Sequence, residues 1–424
     1  MTFTRRLRAV GCAALLAAVG LTGAPPAAAD AIRDRQWPLS AFDANSIWNV
    51  STGKGVTVAL IDGGVDGSHP DLTASVLPGK DFESGGTADH QTADTHGTNM
   101  AGIIAGHGHG PAGLQGIKGL APGSKILPLR VMNGMGVNER GRDLLPEAIR
   151  YAVDHGASVI NMSLGSPLTV PGQSDAIQYA LRHDVVVVAG SGNKGTSQPQ
   201  YPASLPGVIS VGAVDASAKV WDKSNYGSNV MLAAPGVGVA TTDRDDGYLV
   251  GDGTSFSTAY VSATAALLRS KFPDLSAGQI ANRLVKTAKL PKSAKGLKLP
   301  DEHYGYGFIR PYSALTENIP PGSKNGPLPA RSPSSPATPG PSPADSNASS
   351  DGLSPLIVVA AVAGLGVLGI VVVVAVVWRR RRRPVVPPPS PYGQGAPETY
   401  GASQHGPGPD GQNIDQQAPR GFGK

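Results

Sequence analysis

Val56-Thr57-Val58-Ala59-Leu60-Ile61-Asp62-Gly63-Gly64 is an apolar run that stops on an acid followed by two glycines. Such a run, rich in β-branched side chains and lacking polar alternation, suits a strand buried on both faces. Comparable runs recur at residues 125–131, 158–162, 185–189 and 208–214. Helical patterns lie between several of them, at residues 98–105, 144–155 and 175–181. In the second of these, Leu145, Ala148, Ile149 and Ala152 share one face. Buried strands alternating with helices predict an α/β fold whose mainly parallel sheet is covered on both sides. Functional groups of such sheets collect at the carboxyl ends of strands, and Asp62 directly follows its run.

Two other short segments set glycine beside a reactive side chain: His96-Gly97-Thr98 and Gly253-Thr254-Ser255. A serine hydroxyl is a weak nucleophile until a base takes its proton, and the base needs a partner to hold its tautomer. Asp62, His96 and Ser255 are residues of those three types. Singly, each has a plainer reading. Asp62 could form a turn at a strand end, and His96 could be a surface or core residue near a helix start. Ser255 could be the N-cap of the Ala/Leu-rich helical pattern over residues 260–269. As a nucleophile there, Ser255 would gain backbone N–H donors and the positive helix end.

The rest of the 424 residues frames this core. Arg5, Arg6 and Arg8, an apolar run through Leu21, and Ala27-Ala28-Ala29 predict a signal peptide over residues 1–29. The single cysteine, Cys12, lies inside it. The mature chain would then carry no thiol, which excludes a cysteine nucleophile, disulfides and cysteine-ligated metals. The formal charge is +5, yet residues 30–320 hold 24 Lys and Arg against 26 Asp and Glu. The excess sits in the signal and at residues 379–383, so nucleic-acid binding by the folded part has no electrostatic basis.

Residues 356–378 form an uncharged stretch of 23 residues. As a helix it would span roughly 34 Å at ~1.5 Å per residue, enough for a hydrocarbon core of about 30 Å. One transmembrane helix is therefore expected over residues 355–378. The five arginines that follow place that end in the cytoplasm and the N-terminal bulk outside. Residues 321–354, dense in Pro, Ser, Ala and Gly, read as an extended stalk. Residues 379–424, basic and then rich in Pro, Gly and Gln, read as a disordered cytoplasmic tail.

The order Asp…His…Ser is also that of subtilisin, and further matches occur in order along the chain. They include Ile160-Asn161-Met162-Ser163-Leu164-Gly165, Ala189-Gly190-Ser191-Gly192-Asn193, Tyr201-Pro202-Ala203, Ser224-Asn225-Tyr226-Gly227-Ser228 and Ala234-Pro235-Gly236. Over residues 30–320 the chain resembles the subtilisin-like serine proteases, the subtilases. The resemblance implies a three-layer α/β/α domain with a mainly parallel central sheet. It implies that Asp62 orients His96, that His96 acts as general base and then acid, and that Ser255 attacks the scissile carbonyl. Asn193 matches the asparagine that donates to the oxyanion. Ser163, Leu164 and Gly165 match the strand that pairs with an extended substrate. Gly190, Ser191 and Gly192 match one wall of the primary specificity pocket. No cofactor and no metal are implied.

Within that family the layout resembles the mycosins, membrane-anchored proteases of type VII secretion systems. That likeness implies exported proteins as substrates, a membrane secretion complex as partner, and residues 30–49 as an N-terminal extension packed on the domain. A scaffolding component of such a complex, with proteolysis dispensable, is the alternative. Three positions depart from the family pattern: Gly63 where a hydroxyl residue is usual, Asn99 for a second histidine, and Ala259 for a proline. Asp94 either tunes His96 electrostatically or sits exposed. His107 and His109 read as a solvated loop in preference to metal ligands. Asp243, Asp245, Asp246 and Asp252 lack calcium-loop spacing and read as solvated surface.

Overall fold

The five apolar runs all become strands of one sheet in a computed structural model of the protein, which describes residues 27–90, 94–131 and 144–328. Three short helices, α1 (Ala27–Asp34), α2 (Trp37–Phe42) and α3 (Ala44–Trp48), precede β1 (Thr57–Asp62) and β2 (Lys80–Asp81). Helix α4 (His96–Ala105) leads into a hairpin of β3 (His107–His109) and β4 (Gln115–Lys118), and then into β5 (Lys125–Arg130). Next come α5 (Leu145–Asp154), β6 (Val159–Met162), α6 (Gln173–Arg182), β7 (Val186–Gly190) and β8 (Ile209–Val214). After β9 (Val230–Pro235), a second hairpin joins β10 (Val239–Thr242) and β11 (Tyr248–Gly251). Helices α7 (Thr254–Lys271), α8 (Ala277–Thr287) and α9 (Pro311–Thr316) follow.

The main sheet has the order β2-β5-β1-β6-β7-β8-β9, and every pairing in it is parallel. Side chains alternate between two cores. Val58 and Leu60 of β1 join Met100 and Ile103 of α4 and Leu267 of α7. Ala59 and Ile61 face the other way, with Ile149 of α5 and Ile177 of α6. A strand that is buried on both faces has no polar side, which is why the runs show no alternation.

Chain order reverses at β1, whose neighbours are β5 on one side and β6 on the other. A crevice opens at the carboxyl ends of strands at such a switch point, and Asp62 is the last residue of β1.

Strand β9 escapes a reading by composition. Its sequence, Val-Met-Leu-Ala-Ala-Pro, is poor in β-branched residues, and pairing with β8 makes it a strand. The His107/His109 segment corrects the loop expectation. It forms β3, paired with β4. His109 Nδ1 lies 2.6 Å from Oδ1 of the buried Asp71, and His107 Nε2 lies 2.6 Å from the Thr73 carbonyl. Asp245, Asp246 and Asp252 are exposed, while Asp243 is half-buried.

Helices α1 to α3 lie on this hairpin and its neighbours. The Gln36 side chain donates to Lys118 O at 2.9 Å and accepts from Lys118 N at 3.0 Å. Arg33 Nε donates to Gly116 O at 2.6 Å, and the Trp48 indole donates to Leu120 O at 3.0 Å. Among the described residues no helix is long and apolar enough to cross a membrane. The expected signal peptide up to residue 26, the expected anchor at 355–378, the tail and all but the first residues of the stalk lie outside the described residues.

Candidate active site

Strand β1 delivers Asp62 to the crevice fully buried, and the Gly63 N–H donates to Asp62 Oδ1 at 2.8 Å. A buried carboxylate needs such donors, because desolvation without them is costly. Its second partner is His96, whose Nδ1 lies 2.8 Å from Oδ1 and 3.0 Å from Oδ2. A carboxylate cannot donate, so His96 Nδ1 carries the proton toward Asp62 and Nε2 is left with its lone pair.

His96 is the first residue of α4, and its side chain is 35% exposed. The rest of α4 is buried, as its apolar sequence requires. Gly97 is compulsory there: a Cβ on it would sit 1.9 Å from the Gly64 carbonyl oxygen. Strand β10 pins the first turn. Thr242 Oγ1 donates to Thr98 O at 2.7 Å, and Asn99 Nδ2 donates to Thr242 O at 2.7 Å. Burial favours the neutral imidazole, but the Asp62 charge and hydrogen bond and the Asp94 charge outweigh it. The His96 pKa is therefore raised above the ordinary histidine value.

Ser255 is the second residue of α7, whose N-cap position is Gly253 with no side-chain cap. This corrects the N-cap reading of the serine. Its Oγ donates to the Ser163 carbonyl at 3.4 Å, a long bond that rotation about Cα–Cβ releases. Among the described residues it makes no hydrogen bond to His96. A polar chain anchors this helix end from beneath. Ser262 Oγ donates to Asn161 Oδ1 at 2.9 Å, Asn161 Nδ2 to Ser163 Oγ at 3.0 Å, and Ser163 Oγ to Ser255 O at 3.2 Å.

Ser163, Leu164, Gly165, Gly190, Gly192, Asn193 and Ser255 line one cavity of about 240 Å³. Asp62 and His96 lie outside this lining, and Ser191 is the exception among the expected pocket residues. Its hydroxyl turns inward to donate to Asn225 O at 3.0 Å, so it braces the wall from behind. Lys194, Gln200 and Thr254 complete the lining and were not among the expected site residues. Thr254 holds Asn193: its N–H and Oγ1 both donate to Asn193 Oδ1, at 2.9 Å and 2.8 Å. Among the described residues Asn193 Nδ2 makes no hydrogen bond, so the amide presents it as a donor. The only sequence signal for Thr254 was its place beside Ser255. Leu164 and Gly165 make no backbone hydrogen bond among the described residues, which leaves an edge that an extended chain can pair with.

A buried acid on a histidine, and a serine and an asparagine in one cavity, agree with the family match. The family described as the subtilase family, peptidase S8, matches residues 53–307, more than half of the chain. The chain belongs to the subtilase family. Subtilases are serine endopeptidases. The chain is 37% identical over 272 residues to a thermophilic serine proteinase of Bacillus sp. (strain AK1), covering 63% of this chain and 64% of that protein. It is 35% identical over 281 residues to thermitase of Thermoactinomyces vulgaris, covering 66% of this chain and 96% of thermitase. Among solved structures, MycP1 from the ESX-1 type VII secretion system is similar, with a TM-score of 0.60 and 29% identity. That likeness covers 71% of this chain and 90% of the MycP1 chain.

The subtilase departures now have places. Asn99 bonds to β10 within the buried face of α4, and Ala259 is fully buried in α7. Gly63, which departs from the expected hydroxyl residue, leaves Asp62 the backbone N–H that it donates to Oδ1.

Proposed function

We propose that this subtilase is a membrane-anchored, extracytoplasmic endopeptidase that cleaves exported proteins in extended conformation, linked to type VII secretion. The carrying observation is the His96–Asp62 pair, in which a buried carboxylate fixes the imidazole with Nε2 free to accept a proton. In this reading His96 Nε2 takes the Ser255 proton as Oγ attacks the scissile carbonyl carbon. The oxyanion accepts hydrogen bonds from Asn193 Nδ2 and the Ser255 N–H. The imidazolium then gives its proton to the leaving amine as the C–N bond breaks. Water, activated by the same base, releases the acyl group and restores Ser255.

Leu164 and Gly165 would pair with the substrate backbone on one side of the cavity, with Gly190 and Gly192 on the other. The link to secretion rests on the likeness to MycP1 and on the expected signal, stalk and anchor. Residues 1–29 would be removed, residues 30–320 would form the extracytoplasmic domain, and residues 379–424 would remain in the cytoplasm.

The test is labelling of the full-length chain and Ser255→Ala with an active-site phosphonylating probe. The wild type should be labelled and the variant should not; equal labelling would sink the reading. Terminal sequencing of proteins shed by cells carrying wild type but not Ser255→Ala would then identify the substrates.

A further inference from the structure

Gly63 has no side chain, and the space beside it is taken. A Cβ built on Gly63 would lie 2.2 Å from Asp94 Oδ2 and 2.5 Å from Asp94 Cγ. The Asp94 carboxylate thus occupies the room that a hydroxyl residue would need at position 63. Its other oxygen, Oδ1, accepts the backbone N–H of His96 at 3.0 Å. Thr95, at the N-cap position of α4, makes no side-chain cap, so Asp94 satisfies the first donor of the helix. A carboxylate at that end is also favoured by the helix dipole. Asp94 is half-buried, which removes the exposed alternative.

We propose that Asp94 is a positioning residue for the base. Seated over Gly63 and bonded to the His96 N–H, it fixes the first residue of α4 and sets a second negative charge beside the imidazole. Gly63 and Asp94 are one unit, in which the glycine makes room for the acid. This rests on the reading that His96 is the base.

Among the described residues, Asp62 and Asp94 are the charges that face the imidazole. From the elements packed around α4, Asp243 beyond β10 meets Asn99, Arg130 of β5 pairs with Asp81, and Lys118 of β4 lies over the Trp48 ring. Arg269 of α7 binds the Leu275 and Asp184 carbonyls. Asp94 holds the proton on His96 to higher pH, in the same direction as Asp62.

The experiment uses the full-length chain, with the pH dependence of kcat/KM on a peptide substrate and the rate of phosphonate labelling. Asp94→Asn keeps the acceptor for the His96 N–H and removes the charge. Its acid limb should move to lower pH with the plateau retained, a change that a merely structural role would not produce. Asp94→Ala loses both contributions, and its plateau should fall about tenfold, the factor for one well-placed hydrogen bond. Gly63→Ser should reproduce that loss alone and cost little more in the Asp94→Ala background. An unmoved acid limb in Asp94→Asn, or an equal cost of Gly63→Ser in both backgrounds, would overturn the proposal. Loss of Ser255-dependent labelling in the wild type itself would instead overturn the underlying reading of His96.

Discussion

His96 Nδ1 lies within hydrogen-bond distance of both oxygens of Asp62, at 2.8 Å and 3.0 Å, and Asp62 is wholly buried. One imidazole nitrogen is thereby committed to an acid that solvent does not reach. Replacing the acid by an amide would turn an N–H toward Nδ1 and select the wrong tautomer. Asp62→Asn should lower kcat by about 10⁴ with little change in KM, as for the corresponding change in a serine protease triad. Steady-state kinetics on a peptide substrate would check it.

The raised His96 pKa has a sign in both activity and stability. The base must be neutral to accept the serine proton, so the acid limb of kcat/KM should lie above the ordinary histidine value. For folding the sign is opposite. A pKa raised by folding contributes stability that is fully present below the unfolded value of about 6.5 and is lost as pH rises through the folded value. Unfolding midpoints of wild type and His96→Ala across that window would show their difference shrinking as pH rises.

Asn193 presents its Nδ2 because Thr254 holds its Oδ1 with two donors. Asn193→Ala should reduce kcat by about 10²–10³, a magnitude taken from subtilisin itself. Thr254→Val keeps the backbone donor and removes the hydroxyl, and should cost about tenfold, the equivalent of one hydrogen bond. If Thr254→Val matched the wild type, the hydroxyl would have no part in orienting the amide.

Gln200 is buried in the cavity wall, and a Cβ on Gly192 would lie 2.7 Å from its Cγ. Gln200→Ala should open the cavity. The ratio of kcat/KM for large over small apolar side chains at the cleaved position should rise about tenfold. A substrate series differing at that residue would measure it.

Gln36 is 2% exposed and satisfies both backbone groups of Lys118. Gln36→Ala strands an N–H and a carbonyl under the N-terminal helices and should cost about 1–3 kcal/mol. Denaturant unfolding would report the loss.

Much of this architecture is legible in the chain alone. The expected strands at residues 56–61 and 125–131 appear as Thr57–Asp62 and Lys125–Arg130, shifted by a residue at the ends. They are legible because burial on both faces demands unbroken apolar runs. Residues 107–109 gave no such signal: Gly and His lack strand propensity, and pairing with β4 makes them a strand. Ser255 at a helix start was legible, whereas the inward turn of Ser191 was not. A small hydroxyl side chain suits a pocket wall and a buried hydrogen bond equally well.

The sequence by itself determined the alternation of strand and helix, the family motifs, and the types of residue offered as acid, base and nucleophile. Those follow from local patterning, which needs neighbours only a few residues away. Tertiary structure alone decided that Thr254 holds Asn193, that Gln200 and Lys194 line the cavity, and that Asp94 fills the space over Gly63. Each is a contact between segments distant in sequence. Steric exclusion and hydrogen-bond geometry act through space, so no local pattern records them until the sheet has brought the segments together.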